Sequence, residues 1–91
     1  MSIHIDHDHM ISRASTHHAR RVHGHDWEVS WLPEQQLTRN KAITAMTLAE
    51  IVATKTADGG LHCDDPDWSL IDTLASELGL TGPAAVASLG A

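Results

Sequence analysis

Residues 27–31, Trp-Glu-Val-Ser-Trp, alternate strictly between apolar and polar side chains. In an extended backbone Trp27, Val29 and Trp31 then share one face, the pattern of a half-buried strand. Pro33 has no N–H to give to a ladder and is expected to end it. Over residues 39–54 the period changes. Ala42, Ile43, Ala45, Met46, Leu48, Ala49, Ile51, Val52 and Ala53 leave one narrow polar stripe, made of Asn40, Lys41, Thr44, Thr47, Glu50 and Thr54. A helix apolar over most of its circumference is a central one, packed on several sides, and Thr38 is placed to cap it.

Asp58-Gly59-Gly60 interrupts this pattern. A second helix is signalled by Asp65 as its N-cap, Pro66 at the first helical position and Asp67 near the positive end of the helix dipole. Trp68, Ile71, Leu74, Ala75 and Leu78 form its apolar face, and Gly79 followed by Leu80 has the form of a Schellman stop. Thr81-Gly82-Pro83 restarts the chain, and residues 84–89 make a short third helix. Residues 1–26 carry few large apolar groups. Ile3 and Ile5 alternate with His4 and Asp6 in the manner of a half-buried strand, but the segment as a whole is expected to be a mobile polar tail. The fold class expected is mainly α. A small three-helix domain over 27–91 follows a short strand or extended arm and a His-rich polar tail over 1–26.

Ninety-one residues allow one domain at most. A folded part of roughly 65 residues is marginal for a single core. Cys63 is the only cysteine, so no disulfide within the chain can staple it. Marginal size favours self-association or a protein partner. A lone cysteine and the lack of an apolar leader point to a reducing cytoplasm. No run reaches the roughly 18 apolar residues of a membrane span.

The net charge is −6, and its layout says more than its size. All six basic residues precede residue 56, whereas Asp58, Asp64, Asp65, Asp67, Asp72 and Glu77 follow it. The C-terminal part therefore cannot neutralise phosphates, which dominate nucleic-acid affinity. Seven of the eight histidines lie in the first 25 residues, a stretch that turns strongly cationic as pH falls through the reference histidine value of about 6.5.

Four stretches carry candidate chemistry. His4-Ile5-Asp6-His7-Asp8-His9 superficially resembles the His-x-His-x-Asp-His motif of the metallo-β-lactamase family. Asp6 stands where the second histidine belongs, and the chain is too short for that fold. His4, His7 and His9 remain candidate ligands for adventitious Zn, Ni or Cu. With the initiator Met removed, the Ser2-Ile3-His4 amine, amides and imidazole would make a square-planar nitrogen set. His62-Cys63-Asp64-Asp65 sets a thiol beside an imidazole, but adjacent residues rarely meet in nucleophile–base geometry. With no phosphate-binding glycine loop either, no enzyme is expected. The stretch over 71–89 resembles the helix-turn-helix of small bacterial and phage repressors through Ala75, Gly79, Leu80, Thr81 and Ala85. Ser88 departs from that pattern, and the would-be recognition helix has no side chain to read a base edge.

Arg39, Asn40 and Lys41 form the fourth stretch. They put two positive charges at the positive end of the central helix, which costs about 0.3–1 kcal/mol per exposed charge. The next helix follows the rule that this one breaks, and such a breach marks a candidate docking site for an acidic group. With Trp27 and Trp31 just upstream, the candidate partner-binding set is Trp27, Trp31, Arg39, Asn40 and Lys41. One resemblance spans residues 27–91. WLP, LTRNKAITAMTLAE and ELGLTGP look like a group of small hypothetical proteins of actinobacteria and their phages, a group that implies no mechanism. The function expected is a non-enzymatic protein-interaction module, possibly homo-oligomeric, docking an acidic partner group at the start of the central helix. The alternatives are a small helix-turn-helix regulator and a divalent-metal-binding His-rich protein.

Overall fold

The computed structural model describes residues 3–89, without the side chains of His23 and Glu34. Five strands come first: β1 (Ile3–Ile5), β2 (His9–Ser12), β3 (His18–His23), β4 (Asp26–Val29) and β5 (Leu32–Leu37). They pair in sequence order, each antiparallel to the next, as a meander. Three helices follow: α1 (Arg39–Ala57), α2 (Trp68–Glu77) and α3 (Gly82–Ser88).

The fold is therefore neither mainly α nor all-α. The residues expected to form a His-rich polar tail supply β1, β2 and β3. Their apolar side chains are few, but they stand in register. Met10 faces Ile5 on one side and Ala19 on the other, and Ala19 faces Val29. Cross-strand partners share a face, so one apolar row crosses four strands. Met10, Ala19 and Val29 are each 0% exposed. The histidines are the polar half of the same alternation: His4, His9, His18 and Arg20 stand on the outer, solvated face with Ile11.

The strand expected over residues 27–31 is β4 in part. Trp27 and Val29 point inward as the alternation requires, while Trp31 lies in the β4–β5 turn. It is buried there, and its indole N–H donates to the Ala45 carbonyl at 3.2 Å. Pro33 does not end the ladder. Pairing steps from Val29–Leu32 to Trp27–Leu37, so Pro33 sits in a bulged stretch of an edge strand, where no N–H is demanded of it.

α1 lies across the inner face, touching all five strands and α2. Ala42, Ala45, Met46, Leu48, Ala49, Ile51 and Val52 are buried, as expected of a central helix. Its threonines are tolerated because Thr44, Thr47, Thr54 and Thr56 each donate back to the carbonyl four residues earlier. Thr38 caps the helix, accepting from the Lys41 amide at 3.3 Å.

α2 begins at Trp68, two residues later than its sequence signals suggest. Asp65 makes its cap-type bond ahead of the helix, accepting from the Asp67 amide at 2.9 Å, and it also accepts from the Lys55 ammonium at 3.2 Å. The stop is as expected. Leu80 N–H bonds to Ala75 O and Gly79 N–H to Ser76 O, with Gly79 at φ +76°. Thr81 caps α3, and the Gly82 N–H donates to Asp72 Oδ1 at 3.1 Å.

Candidate functional site

A cleft of about 400 Å³ opens where the sheet ends against the start of α1. His7 reaches it from the β1–β2 turn and His25 from the β3–β4 turn. Arg21 comes from β3. It pairs across the ladder with Trp27, so its side chain leaves the sheet on the face that carries the indole. A bulge between Arg21 and His23, with Gly24 at φ +45°, turns the chain tightly enough to bring His25 back beside them. Trp27 contributes to the wall although it is only 1% exposed. Thr38, Arg39 and Asn40 close the cleft from the helix side.

Two guanidiniums, two imidazoles and a helix start line the cleft, and among the described residues no carboxylate does. The first N–H groups of a helix have no partner within it. Thr38 satisfies that of Lys41, and the residues before it, Arg39 and Asn40, are those that line the cleft. An Arg21 Nη2–H donates to His7 Nε2 at 3.4 Å. This arrangement can bind an anion by charge and by N–H donation.

A second cavity, of about 360 Å³, lies between the loop after β2 and the C-terminal half of α1. Ala49, Val52 and Ala53 line it with Ser15, His17 and Leu89. His17 Nδ1 lies 3.1 Å from Ser30 Oγ. Burial pulls the His17 imidazole below its ordinary value, against a bond to Leu89 that raises it, and nearby His18 lowers it further. Among the described residues no Lys, Arg, Asp or Glu lines this cavity.

Of the expected partner-binding set, the fold brings Trp27, Arg39 and Asn40 together. Lys41 is exposed, and Trp31 is buried in the core; neither lines the cleft. His4, His7 and His9 do not converge. His4 stands 3.9 Å from Asp6, His9 stands 3.6 Å from Asp8, and His7 turns to Arg21. No group of three metal-ligating side chains forms among the described residues. Ser2, which begins the square-planar nitrogen set, lies outside the described residues. Cys63 is exposed, and Asp65 is held by Lys55.

Sequence reasoning missed Arg21 and His25 and gave His7 only as a candidate metal ligand, because only strand pairing carries these residues to the helix. A signal was present: Gly24 stands just before the alternating run that begins at Asp26, where a hairpin turn folds Arg21 back over Trp27. It also missed the burial of Glu50, which is 3% exposed. Glu50 Oε1 accepts from the Ser12 hydroxyl at 2.6 Å and from the Arg13 and Ala14 amides at 2.9 and 3.1 Å, fastening the loop after β2 to α1. No helix among the described residues is long and apolar enough to cross a membrane. No family model matches the chain, and neither a curated protein nor a solved structure does.

Proposed function

We propose that this chain is a non-enzymatic protein-interaction module, and that the cleft at the start of α1 is its docking point for an acidic group. One observation carries the reading: Arg21 from β3 and Arg39 from α1 line a single cleft that, among the described residues, no carboxylate lines. Arg39 stands where a helix favours acids, so the molecule accepts a small loss of helix stability to keep a cation there. The lone cysteine fits a cytoplasmic setting, and the resemblance over residues 27–91 suggests an actinobacterial or phage one.

A short oligoglutamate peptide, titrated at low ionic strength, tests the reading. The expected result is a shift of the Arg39 and Asn40 amide resonances together with a change in Trp27 emission. The double substitution Arg21→Glu and Arg39→Glu should abolish both while the melting temperature stays level or rises. Amides that do not move in the wild-type protein, or that move equally in the variant, would refute the docking point.

A further inference from the structure

We propose that the acidic group taken by this cleft belongs to a second copy of the chain, so that copies join head to tail along α1. The inference rests on the docking reading and adds the identity of the partner. In the fold, Arg21 and Arg39 stand at one end of α1 and the acids of residues 58–67 at the other. α1 has 19 residues and is roughly 28 Å long. At its start lies the cleft with Arg21 and Arg39. At its other end Asp58 is the C-cap residue. Asp65 and Asp67 are fastened there by Lys55, at 3.1 and 2.7 Å. One ammonium cannot neutralise two carboxylates, and Asp58 and Asp64 stand exposed on the same loop.

The helix dipole has the same sense, positive at its start and negative at its end. At its start Arg39 adds charge of the sign already there, and at its end Asp58 does the same. This works against a single copy, and it is relieved when the opposite end of a neighbour covers it. Gly59 and Gly60, at φ +113° and +101°, keep the acidic loop slender, with open space where a side chain would be. The loop therefore presents carboxylates without bulk to a cleft that no acid lines among the described residues. The surfaces joined are different, so the contact is heterologous and builds a ring or an open chain of copies.

Sedimentation of the full chain with charge-swapped variants tests this. The wild type should gain mass with concentration at about 0.01 M ionic strength and lose that gain at about 1 M, where the screening length falls from about 30 to about 3 Å. Arg21→Glu with Arg39→Glu should be monomeric alone, and so should Asp58→Lys with Asp64→Lys. Mixing the two variants should restore association, because each supplies the end that the other reversed. The neutral pairs Arg21→Gln with Arg39→Gln, and Asp58→Asn with Asp64→Asn, repeat the test should a reversed variant fail to fold. A wild type that stays monomeric at low salt, or association that survives either swap, overturns the inference. Oligoglutamate binding to a strictly monomeric wild type would overturn it while leaving the docking point standing.

Discussion

Replacing Glu50 by alanine is expected to cost about 2–3 kcal/mol, and the sign of the change tests how the carboxylate is held. Two effects oppose each other. A buried carboxylate has given up its hydration, which costs several kcal/mol. Against that stand the Ser12 hydroxyl and the amides of Arg13 and Ala14, all donating to Oε1. A hydrogen bond to a charged group contributes about 1.5–3 kcal/mol net. The Ser12 bond, at 2.6 Å and with Ser12 only 4% exposed, belongs at the upper end. Arg13 and Ala14 are exposed, so water can take over their amides, and they add about 0.5 kcal/mol each. The donors win, because removing Glu50 strands a buried hydroxyl and opens a void under the loop. At about 0.05–0.15 kcal/mol per residue the whole chain has roughly 5–14 kcal/mol of stability, so the melting temperature should fall by roughly 10–20 °C. Glu50→Gln keeps an acceptor oxygen and should cost about 1 kcal/mol. Thermal melts of both variants, with exchange rates of the Arg13 and Ala14 amides, provide the measurement. An alanine variant as stable as the wild type would show that dehydration outweighs the three donors and that the loop is held by something else.

Removing residues 1–23 takes away β1, β2 and β3, and should leave an insoluble or molten product; a cooperative melt of the truncated chain would contradict the sheet. Gly82→Ala should cost about 1–2 kcal/mol in a denaturant melt, because a Cβ there meets the Asp72 carboxylate and displaces it from the Gly82 amide; an unchanged midpoint would refute that contact. The Asp67 amide and the Lys55 ammonium hold the Asp65 carboxyl below its usual value. Its stabilisation is therefore present above the unfolded value of about 3.9 and is lost as pH falls through the folded one, so Asp65→Asn should flatten the acid limb of the stability curve below about pH 4. Asp67 and then Asp65 raise Lys55 above its usual value. That contribution holds below about 10.4 and fades as pH rises through the folded value, which a melt series in alkali for Lys55→Met would register as a flatter limb.

The helices were legible because their signals are local. A glycine stop at Gly79, a threonine cap at Thr38 and an apolar circumference over α1 each lie within a few residues of what they decide. The sheet was not, because its core row takes one residue from each strand. Met10 means little until Ala19 stands opposite, and Ala19 means little until Val29 does. The composition of residues 1–26 looked like a tail for the same reason: the outer face of a wet sheet is polar wherever it is sampled. Half of the candidate site followed this division. Arg39 and Asn40 stood out as a broken helix rule, while Arg21 waited on a register that only pairing fixes. Asp65 misled only as to the boundary, since it takes the Asp67 amide and the Lys55 ammonium two residues before the cap of α2.

The order of elements along the chain sets a timetable for a growing polypeptide. All five strands emerge from the ribosome before the helix that covers them. At about 5–20 residues per second, the 19 residues of α1 take roughly 1–4 seconds to synthesise. During that interval the nascent meander holds Met10, Trp27 and Val29 with nothing to lie against. The sheet cannot finish folding as it is made, and final collapse waits for a late segment to arrive. Synthesis pauses within codons 39–57 would lengthen the interval in which nascent chains can stick to one another through that bare face.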